Sequence, residues 1–175
     1  MRKNKWKIVS ICLIVYSVLI SGGLVFGFKY FQKSEIQRTI SKVADVPLDG
    51  EMITGYKSNS GFFGDGTTYI QINLSNDARE NIKEAIKANG SWEELPCTDI
   101  LAEPVYDSYF FENVEHDYEG LFPEIENGWY YFLDKQTGDL CSQVKSDIWN
   151  RSYSNYIYAV YDIDKGILYY YETDT

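Results

Sequence analysis

The sharpest chemistry that residue spacing offers here is calcium binding. In the stretch ENVEHDYEGLFPEIENG, Glu115, Asp117 and Glu119 alternate, Gly120 follows, and Glu126 closes the run. That is the ligand order of an EF-hand loop, where a hard cation collects oxygen ligands and a glycine allows the sharp bend. Two features count against it. Glu115 and Glu119 stand where the shorter Asp or Asn is usual, and the sequence beyond Pro123 patterns as a strand rather than a helix. A chance match in an acid-rich stretch gives the same letters. Calcium is therefore the alternative ligand, and the leading expectation is no cofactor.

A second candidate is Gly-Phe-Phe-Gly-Asp-Gly at 61–66. A phosphate loop requires a helix whose N-terminus faces the anion. Here TTYIQINLS follows, and it alternates like a strand. Asp-Gly is a favoured turn pair, so Asp65 reads as a turn residue. Phe62 and Phe63 then either fold back on the core or stand out as a contact for a partner.

His116 is the one histidine in the chain. A zinc site would lack further imidazoles, and hydrolytic chemistry would need the fold to bring His116 beside a serine, cysteine or carboxylate. With no local catalytic signature the expectation is a non-enzyme, an envelope hydrolase being the less favoured alternative. Cys97 and Cys141 are candidates for a disulfide in an oxidising compartment, provided that their Cα atoms come close enough.

Aromatic residues are abundant: 16 Tyr, 9 Phe and 4 Trp. In GWYYFLD, YIYAVYD and ILYYYE, parity places Tyr130, Tyr156, Tyr158, Tyr169 and Tyr171 on a ladder. Either the ladder is open, as a recognition surface for a protein or glycan, or it is cross-strand pairing beneath a covering segment.

The elements that position these residues follow from periodicity. Residues 34–48 carry Ile36, Ile40 and Val43 at helical spacing and end at Pro47. EMITGYKS and TTYIQINL predict a hairpin. SNDARENIKEAIKANG predicts a helix, with Ala78, Ile82, Ala85 and Ile86 on one stripe, a cap among Ser75 to Asp77 and a stop at Gly90. Residues 91–127 have no clear period. GWYYFLD, NYIYAVYDID and GILYYYETD predict three further strands, the last two joined as a hairpin. The fold class expected is α+β, an antiparallel sheet of about five strands with one main helix on one face.

Charge divides the chain. Residues 1–7 are basic, and Ile8 to Phe28 hold no charged residue. Such a run is long enough for a helix of about 20 residues to cross a bilayer. It predicts a transmembrane signal anchor at 8–28, a cytoplasmic basic tail at 1–7, a juxtamembrane stalk or short helix at 29–48 and an extracytoplasmic domain at 49–175. All 26 acidic residues lie from Glu35 onward with ten of the 16 basic ones, a net charge of −16 for that part. So acidic a surface repels nucleic acid.

The basic start and single apolar run, FFGDGTTYIQINLS, NGSWEELP, GWYYFLD and YAVYDIDKGILYYYETDT together resemble a group of small uncharacterised membrane-anchored proteins of Gram-positive bacteria. The resemblance implies a location at the cell membrane and a fold type, and carries over no catalytic residue. The function expected is a non-enzymatic domain that binds a partner, a protein, at the cell envelope.

Overall fold

The computed structural model describes residues 36–48, 52–60, 66–106, 122–152 and 155–174. They belong almost wholly to the compact unit Thr39–Thr175. The expected anchor at 8–28 lies outside the described residues, among which no helix is long and apolar enough to cross a membrane.

The fold is α+β. Strands β1 (Met52–Ser60), β2 (Gly66–Asn73), β3 (Glu93–Glu94), β4 (Gly128–Asp134), β5 (Tyr156–Asp162) and β6 (Ile167–Asp174) form a six-stranded antiparallel sheet in the order β1-β2-β6-β5-β4-β3. The strand beyond the expected five is β3, whose two residues are too few to show a period. Helix α1 covers residues 36–44, α2 Asn76–Asn89 and α3 Asp99–Tyr106.

Helix α2 forms where its caps dictate. The Ser75 hydroxyl accepts a hydrogen bond from Ala78 N, and Gly90 closes the helix in the left-handed region at φ 63°, which a glycine adopts without a Cβ clash. The stripe buries Ala78, Ile82 and Ile86, while Ala85 is half-buried. Two contacts lay α2 along the sheet. Lys87 Nζ sits 5.9 Å from the centre of the Trp129 ring, and Arg79 donates to Leu74 O and Lys165 O, spanning the turns at the ends of β2 and β5. Arg79 occupies the space beside Gly166 where a Cβ would project. Trp92, just beyond α2, donates from its indole to Ala44 O at 2.8 Å and ties α1 to the same layer.

Register shows which residues share a face. Trp129 pairs with Tyr161 and Tyr131 with Ala159, whereas Tyr130 pairs with Val160 and Phe132 with Tyr158. Tyr158 in turn pairs with Tyr171, and Tyr171 with Tyr69. The helix-covered face therefore carries Ile70, Ile72, Trp129, Tyr131, Tyr161, Leu168 and Tyr170. The opposite face carries Tyr69, Tyr130, Phe132, Tyr156, Tyr158, Val160, Tyr169 and Tyr171, and it too is covered. Leu101 of α3, Phe122, Cys141 and Ile148 from two short 3-10 turns (Cys141–Gln143 and Ser146–Asn150), and Val144 between those turns pack on it. The described residues of 91–127 thus contain the strand β3 and the helix α3, and Leu101 and Phe122 among them help to cover this face, which their lack of period did not disclose. Every residue of β5 is buried because both its faces are.

Candidate functional site

The five ladder tyrosines do share one face, as parity requires, but that face is not open. Tyr130, Tyr156, Tyr158, Tyr169 and Tyr171 are each at most 3% exposed. An exposed recognition ladder is thereby corrected to an aromatic core. Its rings interlock: Phe132 stacks on Tyr156 at 5.2 Å, and Phe122 meets Tyr158 edge-on at 5.2 Å. Burial raises the phenols above their ordinary range, to about 12 for Tyr171 and well above it for Tyr156 and Tyr158. These hydroxyls stay neutral at physiological pH.

One cavity of about 70 Å³ opens into this layer, lined by Leu95, Pro96, Cys97, Phe122, Ile125 and Tyr158 among others. The space suits a few waters or one small apolar group. Cys97 and Cys141 are free thiols rather than a disulfide. Burial pushes both thiols up, Cys141 to about 11, against the lowering influence of the Tyr158 hydroxyl on Cys97 and of the Phe132 main chain on Cys141. A thiol is nucleophilic as thiolate, so neither is poised for attack at neutral pH.

The polar cluster that sequence reasoning missed sits at the β3–β4 edge. Glu93 accepts a 2.5 Å bond from the Tyr130 hydroxyl, a 2.6 Å bond from the Ser142 hydroxyl and a 3.2 Å bond from Ser142 N. Burial works to raise its pKa, but these donors prevail and hold the carboxyl below its usual range. A carboxylate so satisfied is a weak base. Its effect is to fasten the first 3-10 turn to the sheet edge. Beside it, Cys141 adopts the left-handed region at φ 44°, which turns its side chain back onto β4. The sulfur donates to Ser91 O at 3.3 Å and to Tyr130 O at 3.8 Å, and the Phe132 main chain bonds it. Farther along, Asp134 N donates to Asp139 O at 2.9 Å, and Leu95 N reaches Gly128 O at 3.0 Å. The outward main-chain groups of β4 are thus met one after another.

Asp134, unlike the half-buried Glu93, is fully buried and has its own set of donors: Arg151 at 2.6 Å, the Thr137 hydroxyl at 2.9 Å and Gln136 N at 2.9 Å. Opposed by burial, they still hold it below the usual carboxylate range. It organises the turn after β4, and Asp162 does the same after β5 by accepting from Lys165 N.

Of the calcium set, Glu126 is exposed on the segment leading into β4, while Glu115, Asp117 and Glu119 lie outside the described residues, as does His116. Phe62, Phe63 and Asp65 also lie outside them. Among the described residues no three His, Cys, Asp or Glu side chains are grouped to hold a metal ion. Nothing local in the sequence announces the Glu93 cluster, because its members are 37 and 49 residues apart. No protein-family model matches the chain, and neither the curated proteins nor the solved structures contain a significant match to it.

Proposed function

We propose that the chain is a single-pass membrane protein whose acidic domain, residues 49–175, stands outside the cell and binds a protein partner at the envelope without catalysing a reaction. The carrying observation is the charge division: an uncharged run from Ile8 to Phe28, basic residues before it, and a net charge of −16 from Glu35 onward. Positive charge retained inside and a domain of high negative charge outside favour a basic partner, whose encounter the field accelerates. The chemistry of the nearest reactive groups supports the non-catalytic reading. Both thiols are pushed up by burial, and the Ser142 hydroxyl donates to a carboxylate already held below its range.

Two measurements test this. Protease added to intact spheroplasts should remove a C-terminal tag while an N-terminal tag survives; the reverse pattern sinks the topology. Cross-linking in cells, followed by recovery from envelope extracts at low and moderate salt, should yield a basic protein whose capture weakens as salt rises. Recovery of nothing specific at either salt removes the binding reading. Calcium is the alternative ligand suggested by the 115–126 spacing. A melting shift in millimolar calcium that Glu126→Gln abolishes would give it priority.

A further inference from the structure

We infer that the partner is engaged through the sheet edge formed by β1, beyond which no described strand lies, and that this edge accepts an extended basic segment as an added strand. The inference rests on the binding reading above and specifies its surface.

Leu74 N donates to Gly166 O at 3.0 Å, in direct continuation of the register in which Asn73 faces Ile167. In an antiparallel pair a direct bond between opposed residues marks one class of position, and the next residue along turns its main-chain groups the other way. Ile72, Ile70 and Thr68 therefore bond to β6, and Gln71, Tyr69 and Thr67 turn toward β1. Their partners there are Gly55, Lys57 and Asn59. Tyr56, Ser58 and Ser60 consequently direct their N–H and C=O groups away from the sheet, and no described strand lies beyond β1. The same alternation holds on the far side, where Leu95 N meets Gly128 O.

The two edges differ in how those groups are met. On β4 the two-residue β3, the Cys141 sulfur and the loop at Asp139 satisfy them. On β1, nine residues long, no such partner is described. Its sequence, MITGYKSNS, contains no proline to deny a donor. Among the described residues, a bulge between Ile53 and Gly55 and the single charge in the strand sequence, Lys57, are the guards this edge carries. An edge of this kind binds extended peptides by main-chain bonds, with side chains adding specificity. Charge selects among occupants. A second copy would bring another −16 against the first, whereas a basic segment is drawn to it.

The test uses the full chain in zwitterionic detergent and, as probe, a blocked octapeptide of alternating lysine and valine. Amide exchange read by mass spectrometry or NMR should slow by about tenfold or more at Tyr56, Ser58 and Ser60 when peptide is present. A peptide of identical charge, N-methylated on one edge, should bind about tenfold more weakly, as should Ser58→Pro, which removes one outward donor. Equal binding of the N-methylated peptide, protection at other strands only, or edge protection that appears without peptide and grows with protein concentration each overturn the edge assignment. The exchange measurement needs no variant, so a misfolded Ser58→Pro does not blunt it. Capture of an envelope protein that competes with neither peptide nor edge protection would leave the binding reading standing and the edge assignment refuted.

Discussion

The two faces of the sheet reach equal burial by different means. One lies under α2, a capped helix whose periodic stripe supplies Ala78, Ile82 and Ile86. The other lies under α3, short 3-10 turns and the irregular chain beside them, whose contribution is piecemeal: Leu101, Phe122, Val144 and Ile148. The helix-covered face is a mixture of aliphatic side chains with Trp129, Tyr131, Tyr161 and Tyr170, and the other is dominated by a continuous run of phenols and Phe132. Regular structure covers a face with residues at a fixed spacing. Irregular cover must instead be fastened at points, and here those points are polar: Glu93 to Ser142 and Tyr130, Trp149 to Ile100 O at 2.7 Å, and Arg151 to Asp134.

That contrast is breakable. The largest effect expected is alkaline unfolding. Burial raises Tyr156, Tyr158 and Tyr171 above the ordinary 10.0. A raised folded-state pKa gives stability that is intact below the unfolded value and lost as pH climbs toward the folded one. Stability should therefore fall from about pH 10 upward, with phenolate absorbance rising together with loss of near-ultraviolet dichroism. Phenols that titrate near their ordinary value in an intact fold would mean that the irregular cover opens readily.

Core truncations come next. Phe132→Ala on the ladder face should cost about 3–5 kcal/mol, and Ile82→Ala on the helix face about 2–5 kcal/mol, by urea unfolding. A cost below about 1 kcal/mol for Phe132→Ala would show that the ladder face collapses around the loss as a well-packed core does not. Smaller is the effect of Glu93→Gln, about 1 kcal/mol after allowance for solvent screening. Glu93 has a folded pKa held below its ordinary 4.5. Its contribution is present above that value and lost as pH falls through the folded one, so wild type and variant should converge in stability at the acidic end. A difference that persists unchanged to low pH would assign the effect to shape rather than charge.

The smallest effect separates the faces most cleanly. The Tyr161 hydroxyl, on the helix face, is buried without a hydrogen-bond partner among the described residues, whereas the Tyr130 hydroxyl on the ladder face reaches Glu93 at 2.5 Å. Tyr161→Phe should be neutral or slightly stabilising, within about 1 kcal/mol, and Tyr130→Phe should cost about 1–2 kcal/mol. Equal costs for the two would erase the distinction.

The sequence made legible those elements whose determinants are local. GWYYFLD matches β4 residue for residue, and Gly90 ends α2 as expected, because turn chemistry and caps act over a few residues. Of the possible caps from Ser75 to Asp77, Ser75 is the one used, a choice that depends on where the chain leaves β2. Parity grouped the ladder tyrosines correctly, but exposure was beyond it. β4 and β5 are apolar at both parities, so neither face announces itself as the outer one. Helix α3 escaped detection since Pro104 interrupts its pattern and Pro96 and Pro123 flank the region. Glu93 escaped because a carboxylate in SWEELP looks solvated until Ser142 and Tyr130 are brought to it from afar.

Strand β6 has a consequence for how the chain is made. Among the described strands it alone links β2 and β5, so this sheet consists of two halves until residues 167–174 arrive. A ribosome delivering the chain in order produces β1, β2 and α2, then β3, β4 and β5, each half with a raw inner edge. For the time needed to add the last strand, those edges of β2 and β5 are open to wrong partners, and keeping them apart falls to whatever escorts the nascent chain.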